Sequence, residues 1–189
     1  SILVNNKNEQ IILEVCNEDN VYDGPIVLLI NGNSASASEL FAAAIQDYNR
    51  GIVIGSKSLG KATMQSILPL DEQRQQDFVK VTVEKFYRIT GESNQIKGIL
   101  PDVVLPVLFE NVISSEANYK TAFKNEDIIP KVKFVPLPKN YFAQVIESSN
   151  LRVTNKHIFN EINLANEQIN LFYNTPKKPT RLIFKDVFE

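Results

Sequence analysis

The sequence predicts an α/β fold with parallel strands, and three consecutive segments carry this prediction. Residues 26–30 form a solid apolar run, which is typical of a strand that is buried on both faces. Residues 36–49 then carry apolar side chains at helical spacing, and residues 52–54 form a second short apolar run. A strand, a helix and a strand with short connections almost always form a right-handed crossover between parallel strands.

The helix is predicted to begin near residues 34–36. Ser36 and Glu39 have the spacing of a capping box, in which each side chain accepts a hydrogen bond from the other residue's backbone N–H. Gly51 is expected to end the helix. The helical spacing produces one apolar stripe, which is the face expected to be buried and which contains Leu40, Phe41, Ala44, Ile45 and Tyr48.

The remaining sequence divides into two parts of different character. Residues 64–68 are expected to form a strand, and residues 78–89 alternate valines with polar residues, which predicts a longer one. Further along, aliphatic runs give way to Asn, Lys and Glu, and residues 155–173 carry one apolar helical face. We therefore expect a mixed α/β core over residues 1–108 and a mostly helical extension over residues 109–189.

Composition excludes several classes of protein. The chain has 189 residues, 43% of them apolar, and a formal net charge of −2, so it can form a sizeable core and shows no charge pattern for nucleic acid. The one cysteine, Cys16, excludes an internal disulfide and is expected to be a small buried side chain rather than a nucleophile. No stretch approaches the roughly 20 apolar residues of a membrane span. Because the chain opens with Ser rather than Met, we expect a piece of a longer protein, and its compartment stays open.

Two polar residues follow the two predicted parallel strands. Ser36 lies just after the first strand, and Lys61 lies just after the second. Since parallel strands end at the same edge of a sheet, both residues are expected at one ligand-binding edge. Ser36 also lies at a helix N-terminus, where the N–H of Ala37 could stabilise an oxyanion.

A serine hydroxyl needs a base to become a good nucleophile. The one histidine, His157, lies in the polar extension and is expected at the surface without a catalytic part, and a single histidine excludes a multi-histidine metal site. Lys61 is the remaining candidate, provided that apolar surroundings favour its neutral amine. Gln65, four residues later, could hold that amine without adding a charge.

Two other interpretations of these residues remain open. The Ser-Ala-Ser-Ala-Ser run and the Gly-Lys pair can be no more than a helix cap and a solvated loop. Alternatively, residues 55–61 match the first seven positions of a phosphate-binding P-loop and would bind a nucleotide. Against the P-loop, Ala62 stands where that motif needs Ser or Thr, and residues 62–68 look extended rather than helical.

Several motifs resemble those of one protease family. They are GPIVLLI at residues 24–30, NSASASE at 33–39, FAAAIQDY at 41–48, GKATMQ at 60–65, KFYR at 85–88 and KGILPD at 97–102. In this order and spacing they resemble the carboxy-terminal processing proteases, and the last two are similar to the tail-specific branch in particular. The resemblance covers about residues 20–105.

The resemblance implies a role for each matched residue. Ser36 matches the nucleophile, Lys61 the general base and Gln65 the partner of that lysine. Asp47 matches a position that the tail-specific branch assigns to a third relay member. It lies eleven residues after Ser36, about 16 Å along a helix, so a structural role such as pairing with a basic group is expected instead. Ala62 replaces the family's Gly and would be strained if that position needs a positive φ.

The resemblance also implies a crotonase-like core and an upstream PDZ-like module that this chain lacks. We expect peptide-bond hydrolysis without metal or cofactor, on polypeptides with accessible C-termini, in the periplasm or on its membrane surface. Without the upstream module and a second oxyanion donor, this chain alone is expected to be poorly active or inactive. The alternative is a non-catalytic peptide- or ligand-binding module on the same scaffold. Peripheral association with a membrane and the oligomeric state are left open.

Overall fold

A computed structural model describes residues 1–5, 7–14, 19, 21–71, 77–110, 112–138 and 142–176. Cys16 lies outside these residues, so its predicted burial stays a prediction. The strands are β1 (Ile2–Asn5), β2 (Gln10–Ile12), β3 (Val27–Ile30), β4 (Ile52–Gly55), β5 (Thr63–Pro69), β6 (Phe78–Tyr87) and β7 (Val103–Val104). The helices are α1 (Ala37–Asp47), a 3₁₀ turn (Glu116–Asn118), α2 (Phe142–Asn155) and α3 (His157–Asn174).

The predicted parallel pair of strands is confirmed. Strands β3, β4 and β7 form one sheet in that order, and both pairings are parallel, with Val27 opposite Ile52. Helix α1 connects β3 to β4. The main core lies between this sheet and α1 and contains Ile30, Ala42, Ala43, Ile45, Val53 and Ile99. The described part of the chain is therefore a mixed α/β structure with a parallel sheet.

The prediction that β3 is buried on both faces is wrong. Val27 is 58% exposed and Leu29 is 72% exposed, whereas Ile30 is buried and Leu28 packs against the core. Side chains alternate between the two faces of a strand, and α1 packs on the face of Leu28 and Ile30. The continuous apolar run therefore identified the strand correctly, but it overstated how many of its side chains are buried.

Helix α1 buries a face that shares only Ile45 with the predicted stripe. Ala42 and Ala43 are buried with Ile45, whereas Phe41 is 56% exposed and Tyr48 is 36% exposed. Small alanine side chains let the helix backbone approach the sheet closely, and the larger side chains are left on its flank. There Leu40, Phe41, Ala44 and Tyr48 line an apolar groove of about 840 Å³ that also borders Ala37.

The second sheet is antiparallel and has the order β2-β1-β6-β5. Strands β5 and β6 confirm the two later strand predictions, although β6 ends at Tyr87 rather than at residue 89. A bulge interrupts the β5–β6 pairing between Met64 and Gln65. Because β5 begins at Thr63, it anchors the loop that carries Lys61.

The residues after 109 contain helices α2 and α3, but residues 119–138 hold neither helix nor strand. Asn166 joins helix α3 to the segment after β7. Its Oδ1 accepts the N–H of Phe109, and its Nδ2 donates to the carbonyl of Val107. The division at residue 108 stays a prediction. No helix within the described ranges is long and apolar enough to cross a membrane.

Candidate active site

Ser36 occupies a sharp turn between β3 and α1. Its backbone has φ 58° and ψ −116°, a region that residues other than glycine rarely adopt. Helix α1 begins at the next residue, Ala37. A serine at a strained strand-to-helix turn is also the geometry of the nucleophile elbow, which exposes the serine hydroxyl above a sheet. The local backbone therefore suits a nucleophile, and it is strained in a way that a simple helix cap does not require.

The backbone N–H of Ala37 is available as a donor. Ala37 is the first residue of α1, so its N–H has no partner within the helix. It donates to no other residue among those that the structure describes. The helix dipole adds partial positive charge at this end. An anion that forms next to the Ser36 hydroxyl would thus meet a free N–H group.

Glu39 is the residue that joins the two parts of the site. Its side chain is fully buried, and its carboxylate accepts four hydrogen bonds. Oε2 accepts the N–H groups of Ser36 and Lys61, each at 2.9 Å. Oε1 accepts the N–H of Gly60 at 2.8 Å and the hydroxyl of Ser58 at 2.5 Å. One carboxylate therefore holds both the serine turn and the lysine loop.

Sequence reasoning identified only part of this role. The capping-box spacing predicted the bond between the Ser36 N–H and Glu39, which is present. No sequence pattern near Glu39 predicts its three bonds to residues 58–61, because the donors lie about twenty residues further along the chain. A glutamate inside an otherwise apolar and small-residue helix was the only available hint that its charge needs buried partners.

Five consecutive backbone N–H groups around Lys61 are already engaged. The N–H groups of residues 58 to 62 donate in turn to Ile99 O, Ser34 O, Glu39 Oε1, Glu39 Oε2 and Gln95 Oε1. A P-loop needs such groups for phosphate, and it needs a helix after the lysine. Here β5 follows instead. The P-loop interpretation is therefore wrong.

Lys61 and Gln65 line one cavity of about 360 Å³. The Lys61 Nζ donates to the carbonyl of Thr63 at 3.3 Å, and the Gln65 Nε2 donates to the Thr82 hydroxyl at 3.5 Å. Within the described residues, no hydrogen bond joins the Lys61 amine to Ser36 or to Gln65. The structure thus joins the backbones of Ser36 and Lys61 through Glu39, whereas the Lys61 amine donates to the Thr63 carbonyl.

Asp47 lies at the opposite end of α1 from Ser36 and is paired with Arg88. The Arg88 Nη2 lies 2.5 Å from Asp47 Oδ1, and Nε lies 3.0 Å and 3.2 Å from the two carboxylate oxygens. The Asp47 side chain is only 5% exposed. Its carboxylate is thus engaged by a bidentate arginine that links α1 to the segment after β6.

The sequence also made predictions about His157 and Ala62. The His157 side chain is 86% exposed at the start of α3, and its Nδ1 lies 3.4 Å from the carboxylate of Glu161. Ala62 is buried and does not have a positive φ, so replacing the family's Gly causes no backbone strain there. The positive φ in this loop falls on Gly60, at 94°, where an added Cβ would lie 2.9 Å from the backbone of Ile96.

Comparison with known proteins gives consistent matches. Residues 4–105 match the family model described as Peptidase family S41. The tail-specific protease of Haemophilus influenzae is 43% identical over 94 residues, which are 47% of this chain and 14% of that protein. The carboxy-terminal-processing protease of Bartonella bacilliformis is 46% identical over 81 residues, 43% of this chain and 18% of that protein.

A solved structure is also similar. The photosystem II D1 C-terminal processing protease is 36% identical, with a TM-score of 0.38, over 43% of this chain and 20% of that one. The chain thus spans a fifth or less of the length of each of these three proteins. The matched residues 4–105 include Ser36, Asp47, Lys61 and Gln65.

Proposed function

Because this chain belongs to peptidase family S41, as its motifs predicted, we propose that it is the catalytic part of a serine endopeptidase. The enzyme cleaves polypeptides that it recognises by their C-terminal tails. One observation carries the mechanism: the Glu39 carboxylate binds the backbone N–H groups of both Ser36 and Lys61. A nucleophile and a base that are 25 residues apart in sequence are thereby held at one site.

The reaction proceeds through an acyl-enzyme on Ser36. The Ser36 oxygen attacks the scissile carbonyl carbon while its proton passes to the neutral amine of Lys61. The N–H of Ala37 stabilises the oxyanion of the tetrahedral intermediate. The C–N bond then breaks, and Lys61 returns the proton to the leaving amine. Water attacks the acyl group by the same route, which regenerates the Ser36 hydroxyl and releases the carboxylate product.

Lys61 has to leave its bond to the Thr63 carbonyl for this step. Its backbone stays fixed by Glu39, so the change is confined to the side-chain torsions. Catalytic hydrogen bonds are often long or absent without substrate and tighten in the reacting complex. Gln65 lines the same cavity and is proposed to hold the amine once it has turned.

Several finer properties belong to the same proposal. The parallel sheet with α1 between its strands supports a crotonase-like core over residues 1–108, followed by a helical extension. The ion pair with Arg88 supports a structural role for Asp47. The relatives' names support a tail-specific substrate class, and bacterial relatives of this kind support a periplasmic location. The chain alone is proposed to be poorly active.

The test is peptide cleavage by the full-length protein with Lys61→Ala, and separately with Ser36→Ala. Each variant should lose at least about 100-fold in kcat, since a general base alone contributes 10²–10⁴-fold. Lys57→Ala is the matched control for the first variant, because Lys57 is exposed in the same loop. Ser38→Ala is the control for the second, since Ser38 lies two residues away and is also exposed.

A serine-reactive phosphonate supplies an independent measurement. It should label the parent protein at Ser36 and should label Ser36→Ala not at all. If Lys61→Ala cleaves peptides at the rate of the parent, the dyad mechanism is wrong. If the parent protein neither cleaves peptides nor reacts with the phosphonate, the binding-module alternative replaces the protease.

A further inference from the structure

A segment outside the family match forms part of the Lys61 cavity. Residues 4–105 match the family model, yet Glu116, Tyr119, Ala122 and Phe123 line the cavity with Lys61. Glu116 begins the 3₁₀ turn, and its N–H donates to the carbonyl of Leu59 at 2.9 Å. The turn is therefore attached directly to the lysine loop.

A second connection runs through the side chain of Gln95. The Gln95 Nε2 donates to Glu116 Oε1 at 3.1 Å, and the Gln95 Oε1 accepts the N–H of Ala62 at 2.8 Å. Gln95 is 3% exposed and Ala62 is 1% exposed. Since a buried polar group must be paired, loss of the Gln95 oxygen would leave the Ala62 N–H without a partner.

Its two partners determine which way the Gln95 amide points. A carboxylate only accepts hydrogen bonds, so it selects the orientation in which Nε2 faces Glu116. That orientation leaves Oε1 toward the Ala62 N–H, which only donates. Replacing Gln95 by Glu would put two carboxylates together and remove the donor to Glu116.

The backbone around Gln95 is strained. Ile96 has φ 67°, an outlier for a β-branched residue, and the Lys97 N–H donates to the Gln95 carbonyl at 2.8 Å. This is a γ-turn centred on Ile96, of the strained kind. The Ile96 N–H donates to the Gly60 carbonyl at 2.7 Å. Strain of this kind persists where surrounding contacts over-determine the conformation, and it is concentrated at functional sites.

We propose that Glu116, acting through Gln95, is a positioning residue for Lys61. The pair fixes the residue after Lys61 and so sets the direction in which the lysine side chain leaves the loop. Glu39 holds the loop through the N–H groups of Gly60 and Lys61, and the Gln95–Glu116 pair holds it through the N–H of Ala62. This proposal rests on the proposed protease function, because Lys61 needs a fixed direction only if it transfers a proton.

The test exchanges the two side chains in the full-length protein. Gln95→Glu should lower kcat about tenfold or more, with KM within about twofold, since the substrate contacts are unchanged and the proton transfer is misaligned. Glu116→Gln should lower kcat by less than Gln95→Glu does, because the new amide oxygen can still accept from Gln95. In the double exchange Gln95→Glu/Glu116→Gln, the amide at position 116 can donate to the carboxylate at position 95, which still accepts the N–H of Ala62. The kcat should therefore recover to within about threefold of the parent.

The melting temperature of each variant separates misalignment from unfolding. Recovery of kcat in the double exchange supports the proposal when Gln95→Glu itself is folded at the assay temperature, because the activity that returns was then not lost through unfolding. Equal kcat for Gln95→Glu and the parent overturns it, and so does a folded double exchange that stays impaired. If Gln95→Glu does not fold, Glu116→Ala decides, and an unchanged kcat there overturns the proposal. Ser36→Ala and Lys61→Ala are assayed in parallel, and cleavage by either one at the rate of the parent overturns the dyad mechanism on which this proposal rests.

Discussion

The backbone N–H groups of Ser36 and Lys61 donate to the same atom, Oε2 of Glu39, each over 2.9 Å. Two loops from different strands are thus joined by one buried carboxylate rather than by a bond between the two side chains. Glu39 fixes the backbones of both residues, and the Lys61 amine donates separately to the Thr63 carbonyl. Glu39 is therefore the residue that connects the two segments of the candidate site.

Glu39→Gln should destabilise the protein and remove its activity. The amide would place an NH₂ group against backbone N–H donors, so at least one buried donor loses its acceptor. We expect a loss of about 3 kcal/mol in the free energy of unfolding, measured by urea denaturation. Glu92→Gln is the control, since Glu92 is exposed, and it should stay within about 0.5 kcal/mol of the parent. Equal stability of Glu39→Gln and the parent would show that the carboxylate is not needed.

Ser36→Gly should be more stable than Ser36→Ala. Both variants lack the Ser36 hydroxyl, but only glycine relieves the backbone at φ 58°. The difference should be about 1 kcal/mol, measured by thermal or urea unfolding. Ser115 precedes the 3₁₀ turn with φ −123° and provides the comparison. Glycine should have no comparable advantage over alanine at Ser115, and the same advantage at both positions would contradict strain at Ser36.

Asp47 and Arg88 should be coupled in stability and not in catalysis. Asp47→Asn leaves the Arg88 guanidinium without its carboxylate, and Arg88→Met leaves the Asp47 carboxylate without its guanidinium. Both side chains are largely buried, so water replaces the lost partner poorly. Each should cost about 3 kcal/mol, and the double variant should cost clearly less than their sum. At a temperature where Asp47→Asn is folded, it should keep most of its kcat. A folded Asp47→Asn that loses about 100-fold in kcat would instead indicate a relay role.

The buried face of α1 can be tested with neighbouring residues. Ala42→Leu adds bulk at a fully buried position against the sheet and should cost about 1–3 kcal/mol. Phe41→Ser removes an aromatic ring that is 56% exposed and should change the free energy of unfolding by about 0.5 kcal/mol or less. The reverse order of these two effects would mean that the apolar stripe, rather than the alanine face, packs on the sheet.

The local elements of the fold could be predicted because their signals are local. Apolar runs and helical spacing located β3, α1 and β4, and their order implied parallel strands that the structure contains. The same order placed Ser36 and Lys61 at one edge of the sheet. The motifs around them identified the family to which the chain belongs.

Contacts between distant segments could not be predicted in this way. The capping-box pattern predicts one partner of Glu39, whereas the other three depend on how the 58–61 loop packs over α1. The pattern of α1 predicted a buried Phe41, because periodicity measures where apolar residues recur and not how closely a helix can approach a sheet.

The sequence by itself therefore determined the strand–helix–strand order, the family and the identity of the candidate nucleophile and base. The tertiary structure alone decided which face of α1 is buried, which carboxylate holds the two loops and how the Gln95–Glu116 pair supports Lys61. The physical reason is that propensity and periodicity act over a few residues. A buried charge or amide instead takes its partners from whatever segments packing brings within hydrogen-bond distance.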